Sequence, residues 1–309
     1  MGSRYPLSPA LAAFVERSQG FVPRDDSLAA LREAYAALCA TFTPPRPDGL
    51  EIDERRLADV PVRVYRPANA VANRPGVLYL HGGGWMLGGL DSHDFLTAEL
   101  ALALALQAMV IAVDYRLAPE HPFPAAFDDC RAVWHALRTE ASALGLDPAR
   151  IAVAGDSAGG NLAAALCLAL RDGGEALPYA QALIYPALGA DDLPSRHQCA
   201  DAPLLSRDDL LQCLAHYLPD PQQRRDPYAM PLAATNFAGL PPAFIGVAEF
   251  DPLRDDGLLY RDRLRDAGVP VRFHSGHGLV HGCLRARGQA FEVDDLFAEL
   301  LTALRLFLR

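Results

Sequence analysis

The 309-residue chain contains no lysine. All 28 of its basic side chains are therefore arginines, set against 38 carboxylates for a formal net charge of −10. The missing lysine excludes Schiff-base chemistry, a Walker phosphate loop and a Ser-Lys dyad, so the glycine run near position 82 is not a phosphate loop. The acidic balance argues against nucleic acid and against an anionic membrane as partner, leaving a small or neutral ligand. Cysteine is sparse: Cys39, Cys130, Cys167, Cys199, Cys213 and Cys283 are scattered without a CxxC pair. That spacing suits neither a zinc ribbon nor a disulfide scaffold, and reads as small buried side chains in a reducing, cytoplasmic compartment. Long apolar runs are missing too. The N-terminal run is broken by Glu16 and Arg17, unlike a secretory signal, and Leu100 to Val113 is interrupted by Gln107 and too short for a bilayer. A soluble intracellular protein is expected.

What is present is apolar content of 51% spread along the whole length, with no flexible linker. One large α/β domain over residues 1–309 is expected. Strand-like runs at Pro61 to Tyr65, Gly76 to Leu80, Met109 to Val113, Ile151 to Ala154, Ala180 to Tyr185, Ala243 to Val247 and Val269 to Phe273 alternate with helical runs. This predicts a mostly parallel central sheet with helices on both faces. Asp91 or Ser92 is placed to cap a helix running to Leu106. Pro124 to Leu144 carries a second helix, and Asn161 to Arg171 a third that stops at Gly173 and Gly174. Glu292 to Leu308 spaces its apolar residues as one buried stripe. Residues 1 to about 45, and about 188 to 238, stand outside the alternation. Excursions of that length in a compact fold are usually lids or pocket walls.

The most telling segment is Gly155-Asp156-Ser157-Ala158-Gly159-Gly160, between an apolar strand and an apolar helix. A serine on such a turn, with glycine two residues away on each side, has the form of a nucleophile elbow. The turn forces φ > 0 at Ser157, and only residues lacking Cβ at 155 and 159 let strand and helix pass so closely. The following helix aims its positive end at the serine, where negative charge would develop.

His81-Gly82-Gly83-Gly84-Trp85 follows the strand ending at Leu80. Its bare N–H groups, with that of Ala158, are suited to hold an oxyanion. Gly82, Gly83 and Gly84 are all candidates, with Gly83 and Gly84 the preferred pair. An orienting carboxylate and a base should follow in that order. Asp251 lies at the end of a strand, where Glu249, Asp255 and Asp256 compete with it. His281 lies on a loop before the last helix, where His274 and His277 compete, as does His81. His274, His277, His281 and Cys283 match no standard metal-ligand spacing, so no metal is expected.

Taken together, His81 to Trp85, the run Tyr115 to Ala126, Gly155 to Gly160, Asp251 to Asp255 and His281-Gly282 resemble the hormone-sensitive-lipase-like family of α/β-hydrolases, the bacterial family IV carboxylesterases. The resemblance implies an α/β-hydrolase fold with a helical cap drawn from about 1–45 and 188–238. It implies Ser157 as nucleophile, His281 as base, Asp251 as its orienter, and Gly83, Gly84 and Ala158 as oxyanion donors. The activity implied is hydrolysis of short to medium acyl esters through an acyl-enzyme, with no cofactor. A deacetylase or amidase of the same family is the alternative, and a non-catalytic receptor a remoter one, since such receptors replace the histidine kept here as His281. The expected partner is a small-molecule ester, and a homodimer is an analogy from relatives. Arg116 and Glu120 are expected to pair beneath the site. Cys283 stands where an aromatic residue commonly follows His-Gly, a change expected to soften the pocket wall. Because the base must be neutral, activity should rise as pH passes the ordinary histidine value of about 6.5.

Overall fold

A computed structural model of the protein describes residues 4–68, 72–104, 108–189 and 191–309. Eight strands, β1 (Leu50–Leu57), β2 (Val60–Pro67), β3 (Arg74–Leu80), β4 (Met109–Val113), β5 (Leu146–Asp156), β6 (Gln181–Ile184), β7 (Ala243–Gly246) and β8 (Val271–His274), form one sheet. Their spatial order is β1-β2-β4-β3-β5-β6-β7-β8. Only the β1–β2 and β2–β4 pairings are antiparallel, and the other pairings are parallel. The expected mostly parallel sheet is thus present.

Among the described residues ten α-helices accompany it: α1 (Pro9–Gln19), α2 (Leu28–Phe42), α3 (Asp94–Ala103), α4 (Ala125–Thr139), α5 (Ala141–Leu144), α6 (Ala158–Asp172), α7 (Ser195–Gln198), α8 (Arg207–Tyr217), α9 (Arg254–Asp266) and α10 (Phe291–Phe307). They cover both faces because the central strands are apolar on both. On β3, Leu78 and Leu80 face a core completed by Trp134, Leu166 and Tyr260 from α4, α6 and α9. Val77 and Tyr79 face the opposite core, with Phe95, Leu100, Leu296 and Leu300 from α3 and α10. Successive side chains of a strand point to opposite faces, so one run of seven buried residues feeds two cores.

Several boundaries differ from the sequence reading. β1 was not among the expected strands. Its residues are largely charged, and it lies at the sheet edge, where charge discourages pairing with other chains. Ala58 and Asp59, at φ 47° and 64°, join it to β2 as the two-residue turn that suits sheet twist. The single helix expected over Pro124 to Leu144 is divided at Glu140 into α4 and α5. The helix expected to reach Leu106 is α3, and its expected end lies outside the described residues. Ser92 does not cap α3; its hydroxyl donates to the Gly89 carbonyl. The third helix begins three residues early, at Ala158, immediately after the elbow serine.

Candidate active site

Four strand ends converge at the carboxyl edge of the parallel sheet, where open α/β sheets place their ligands. The loops after β3, β5, β7 and β8 carry the glycine run, Ser157, Asp251 and His281.

Ser157 sits between β5 and α6 with φ 56° and ψ −119°. That conformation is costly for a residue with a side chain, of order 1–3 kcal/mol, and persists because its surroundings hold it. Its N–H donates to the Ile184 carbonyl at 2.9 Å, and its own carbonyl accepts from Asn161 at 3.1 Å and Ala187 at 3.2 Å. Gly159 is required for another reason: a Cβ there would collide with the backbone carbonyl of Leu80. The elbow therefore exists because β3 and α6 pass at backbone contact.

The three side chains named from sequence meet. His281 Nε2 lies 2.9 Å from Ser157 Oγ, and His281 Nδ1 lies 2.7 Å from Asp251 Oδ2. Asp251 is fully buried, and its other oxygen accepts the Leu253 N–H at 2.7 Å. The two loops that carry this pair are tied together. The Phe250 N–H donates to Leu279 at 2.9 Å, and Phe250 and Val280 form a parallel bridge.

The competing candidates are engaged elsewhere. Glu249 accepts from the Gly278 N–H at 2.7 Å and pairs with His277 at 2.7 Å. Asp255 pairs with Arg254 at 3.0 Å and accepts the Ser195 N–H at 2.8 Å. Asp256 is fully buried between Arg196, at 2.7 Å, and the N–H groups of Leu188 and Gly189. Burial pushes its pKa up to about 6 against the pull of Arg196. His274 meets Asp295 at 3.0 Å, and His81 stacks on Tyr115 in the interior, where burial lowers its pKa to about 4.

Two expectations need correction. Arg116 does not pair with Glu120; it binds Asp129 at 2.7 Å, while Glu120 accepts two hydrogen bonds from Arg32 of α2, at 2.6 and 2.8 Å. Asp129 of α4 also accepts the Arg116 backbone N–H at 2.9 Å, so one carboxylate holds both the main chain and the guanidinium. Cys283 is buried in the core beside α10, and it is its neighbours Gly282, Leu284 and Arg285 that border the cavity.

The glycine run forms a turn in which the Gly83 carbonyl accepts from Met86 at 3.1 Å and Leu87 at 2.9 Å. Gly83 and Gly84 have φ of 127° and 60°. A side chain at Gly84 would press on Cys213 Sγ, 2.6 Å from where its Cβ would stand. The Gly82 N–H donates to Asp156 Oδ1 at 3.0 Å. Ala158, the first residue of α6, has an N–H with no acceptor inside its own helix.

Asp156 is a residue whose part sequence reasoning missed. It is buried beside the cavity that holds Ser157, and there Tyr79 donates its hydroxyl to the carboxylate at 2.7 Å and His93 Nε2 approaches it at 3.2 Å. Burial alone would raise its pKa, but His93, Tyr79 and Arg285 hold it below the usual carboxylate value. The position of Asp156 inside the elbow motif was the available signal. Its partners are 63 to 77 residues distant and only the fold brings them in.

A cavity of about 380 Å³ opens onto Ser157, His281, Gly83 and Gly84. Its walls include Phe14 from α1, Leu31, Tyr35 and Leu38 from α2, and Leu210 and Cys213 from α8. Both excursions noted in the sequence thus border it.

Comparison with known proteins agrees with this geometry. Residues 77–285 match a family described as having the alpha/beta hydrolase fold. The chain is 48% identical over 264 residues to carboxylesterase NlhH of Mycobacterium tuberculosis, covering 81% of each protein. It is 36% identical over 315 residues to ethyl acetate hydrolase of Pseudomonas putida, covering 97% of this chain and 98% of that one. Among solved structures, a bacterial heroin esterase superposes with a TM-score of 0.91 at 36% identity, covering 99% of this chain and 100% of the other.

Proposed function

This chain belongs to the hormone-sensitive-lipase-like family of α/β-hydrolases, and we propose that it is a carboxylesterase acting through Ser157 on small esters with short to medium acyl groups. The observation that carries this reading is the unbroken hydrogen-bonded series from Ser157 through His281 to buried Asp251.

Neutral His281 accepts the Ser157 proton at Nε2 as Oγ attacks the ester carbonyl carbon, and Asp251 accepts the Nδ1–H bond that fixes the tautomer. The carbonyl π electrons move onto oxygen. The N–H groups of Gly83, Gly84 and Ala158 receive that charge, since Gly82 already serves Asp156. As the tetrahedral adduct collapses, His281 returns its proton to the leaving alcohol, and water then releases the acyl group by the same steps in reverse.

Residues 1 to about 45 and 188 to 238 act as the cap of this single domain, a role supported by the wall they give the cavity. Among the described residues, no helix is long and apolar enough to cross a membrane. A cytoplasmic setting is supported by six free cysteines, with burial holding the Cys130, Cys167 and Cys283 thiols well above their ordinary pKa. The family resemblance extends the reading to a homodimer, which sedimentation checks.

A fluorophosphonate probe is expected to label the protein once, on Ser157, and to leave Ser157→Ala unlabelled and inactive on nitrophenyl esters. Absence of labelling in the parent chain would favour a ligand-binding role instead.

A further inference from the structure

We propose that Arg32, on the N-terminal helix α2, is a positioning residue that holds the oxyanion turn in its productive shape. The inference rests on the esterase reading above and goes beyond it to a residue in none of the chemical motifs.

Arg32 Nε donates to the Met86 carbonyl at 2.9 Å, and one terminal nitrogen reaches the Ala118 carbonyl at 3.2 Å. Both terminal nitrogens also bind Glu120, at 2.6 and 2.8 Å. Met86 is the residue whose N–H closes the turn onto Gly83, and Ala118 donates to the Trp85 carbonyl at 2.8 Å. One planar guanidinium therefore grips the turn beyond Gly84 directly at Met86, and through Ala118 at Trp85. A rigid fork can do this; a lysine ammonium, a single point donor on a flexible stem, cannot fix both directions.

The turn needs such a grip. Gly83 and Gly84, at φ 127° and 60°, have no Cβ to fix their backbone, and Trp85 holds a φ of 59° that is costly for a residue with a side chain, so the shape of the segment carrying two of the proposed donors depends on tertiary contacts. Oxyanion donors act only when they already stand about 3 Å from where the charge will appear. A shift of about 1 Å at such a site can cost as much as 100-fold in rate.

The same face of α2 carries a second tether. Tyr35, three residues on, accepts from buried Arg285 at 3.0 Å, and Arg285 lies four residues beyond His281 and donates to the Ser92 carbonyl at 2.7 Å. Positions i and i+3 of a helix are neighbours. The helix thus touches the oxyanion turn with one side chain and the histidine loop with the next.

The test compares Arg32→Ala, Arg32→Met and Glu120→Gln with the parent, each first checked for melting and for fluorophosphonate labelling of Ser157. Steady-state kinetics on a nitrophenyl ester are paired with inhibition by a trifluoromethyl ketone. Its carbonyl accepts Ser157 Oγ reversibly, giving an alkoxide in the oxyanion site while the proton passes to His281. The expected result for Arg32→Ala is a fall in kcat of about 10- to 100-fold with KM within about twofold, and a matching loss of ketone affinity. Arg32→Met keeps a long unbranched side chain but has no donor, and should behave alike even if the alanine variant fails to fold. Glu120→Gln removes the ion pair yet leaves the bond to Met86, and should keep kcat within about threefold. An unchanged kcat in Arg32→Met, an effect confined to KM, or an equal loss in Glu120→Gln overturns the proposal. A parent chain that takes no label and hydrolyses no ester overturns the esterase reading instead.

Discussion

At the residue scale, the site divides into side chains that the sequence marks and side chains that only the fold recruits. Ser157 and the glycines around it carry a local signature, because a strained turn between strand and helix admits few residue types. Asp251 and His281 were legible as candidates by order and by strand-end position, and the family resemblance picked them out; the coordinates add why Glu249, Asp255, Asp256, His274 and His277 do not serve, each being engaged elsewhere. Asp156 shows what order cannot supply. It anchors Gly82 at the start of the oxyanion turn and is held ionised by groups scattered through the chain. Because its pKa is lower in the folded than in the unfolded state, it stabilises the fold above its unfolded value of about 3.9, and that contribution is lost as pH falls below it. Asp156→Asn can keep an oxygen toward Tyr79 and Gly82, which share Oδ1, but it loses the charge and puts an amide NH2 where Oδ2 meets His93, and should cost about 1–3 kcal/mol at pH 7. Urea unfolding at a series of pH values should show the gap between parent and variant narrowing below pH of about 4. A gap that stays constant would mean that the carboxylate carries no charge in the fold.

At the element scale, the strands of the sheet interior were readable from apolar runs and the edge strand β1 was not, because pattern reports burial and β1 has little of it. The early start of α6 likewise has a tertiary cause: Ile184, on the neighbouring strand, and Ala187 hold the Ser157 backbone in its turn, so the chain enters the helix directly after it. The β3–α6 crossing gives this element its sharpest test. Gly159→Ala drives a methyl group into the Leu80 carbonyl, with backbone on both sides and nothing flexible to yield. A loss of about 3 kcal/mol or more in denaturation is expected, with esterase activity falling alongside it. Gly174→Ala, at φ 63° with open space around the new methyl, should cost only about 1–2 kcal/mol. Equal costs at the two positions would remove close passage as the reason for the glycine.

At the scale of the whole molecule, the fold class followed from alternation of strands and helices, and the two excursions outside it were read as pocket walls, whereas the particular helices and side chains that line the cavity were not legible, since they depend on α1, α2 and α8 returning over one sheet edge. About 380 Å³ lies near the lower end of ordinary small-molecule sites, roughly 300–1,000 Å³. Across nitrophenyl esters of increasing acyl length, kcat/KM should peak among the short to medium acyl groups and drop steeply for a palmitoyl ester. An acetylated aromatic amine in the same panel reports on deacetylase activity. Faster turnover of the palmitoyl ester would require a cavity larger than the one described.

The two walls of that cavity are fastened in different ways, and this bears on how the enzyme could be redesigned. Helix α8 presents Leu205, just before its start, with Leu210 and Gln212 as side chains that border the opening. Helix α2 is riveted by Arg32 and Tyr35 to the loops that surround the nucleophile. Engineers seeking a different substrate range would do well to diversify the first helix and to leave the second as inherited scaffolding.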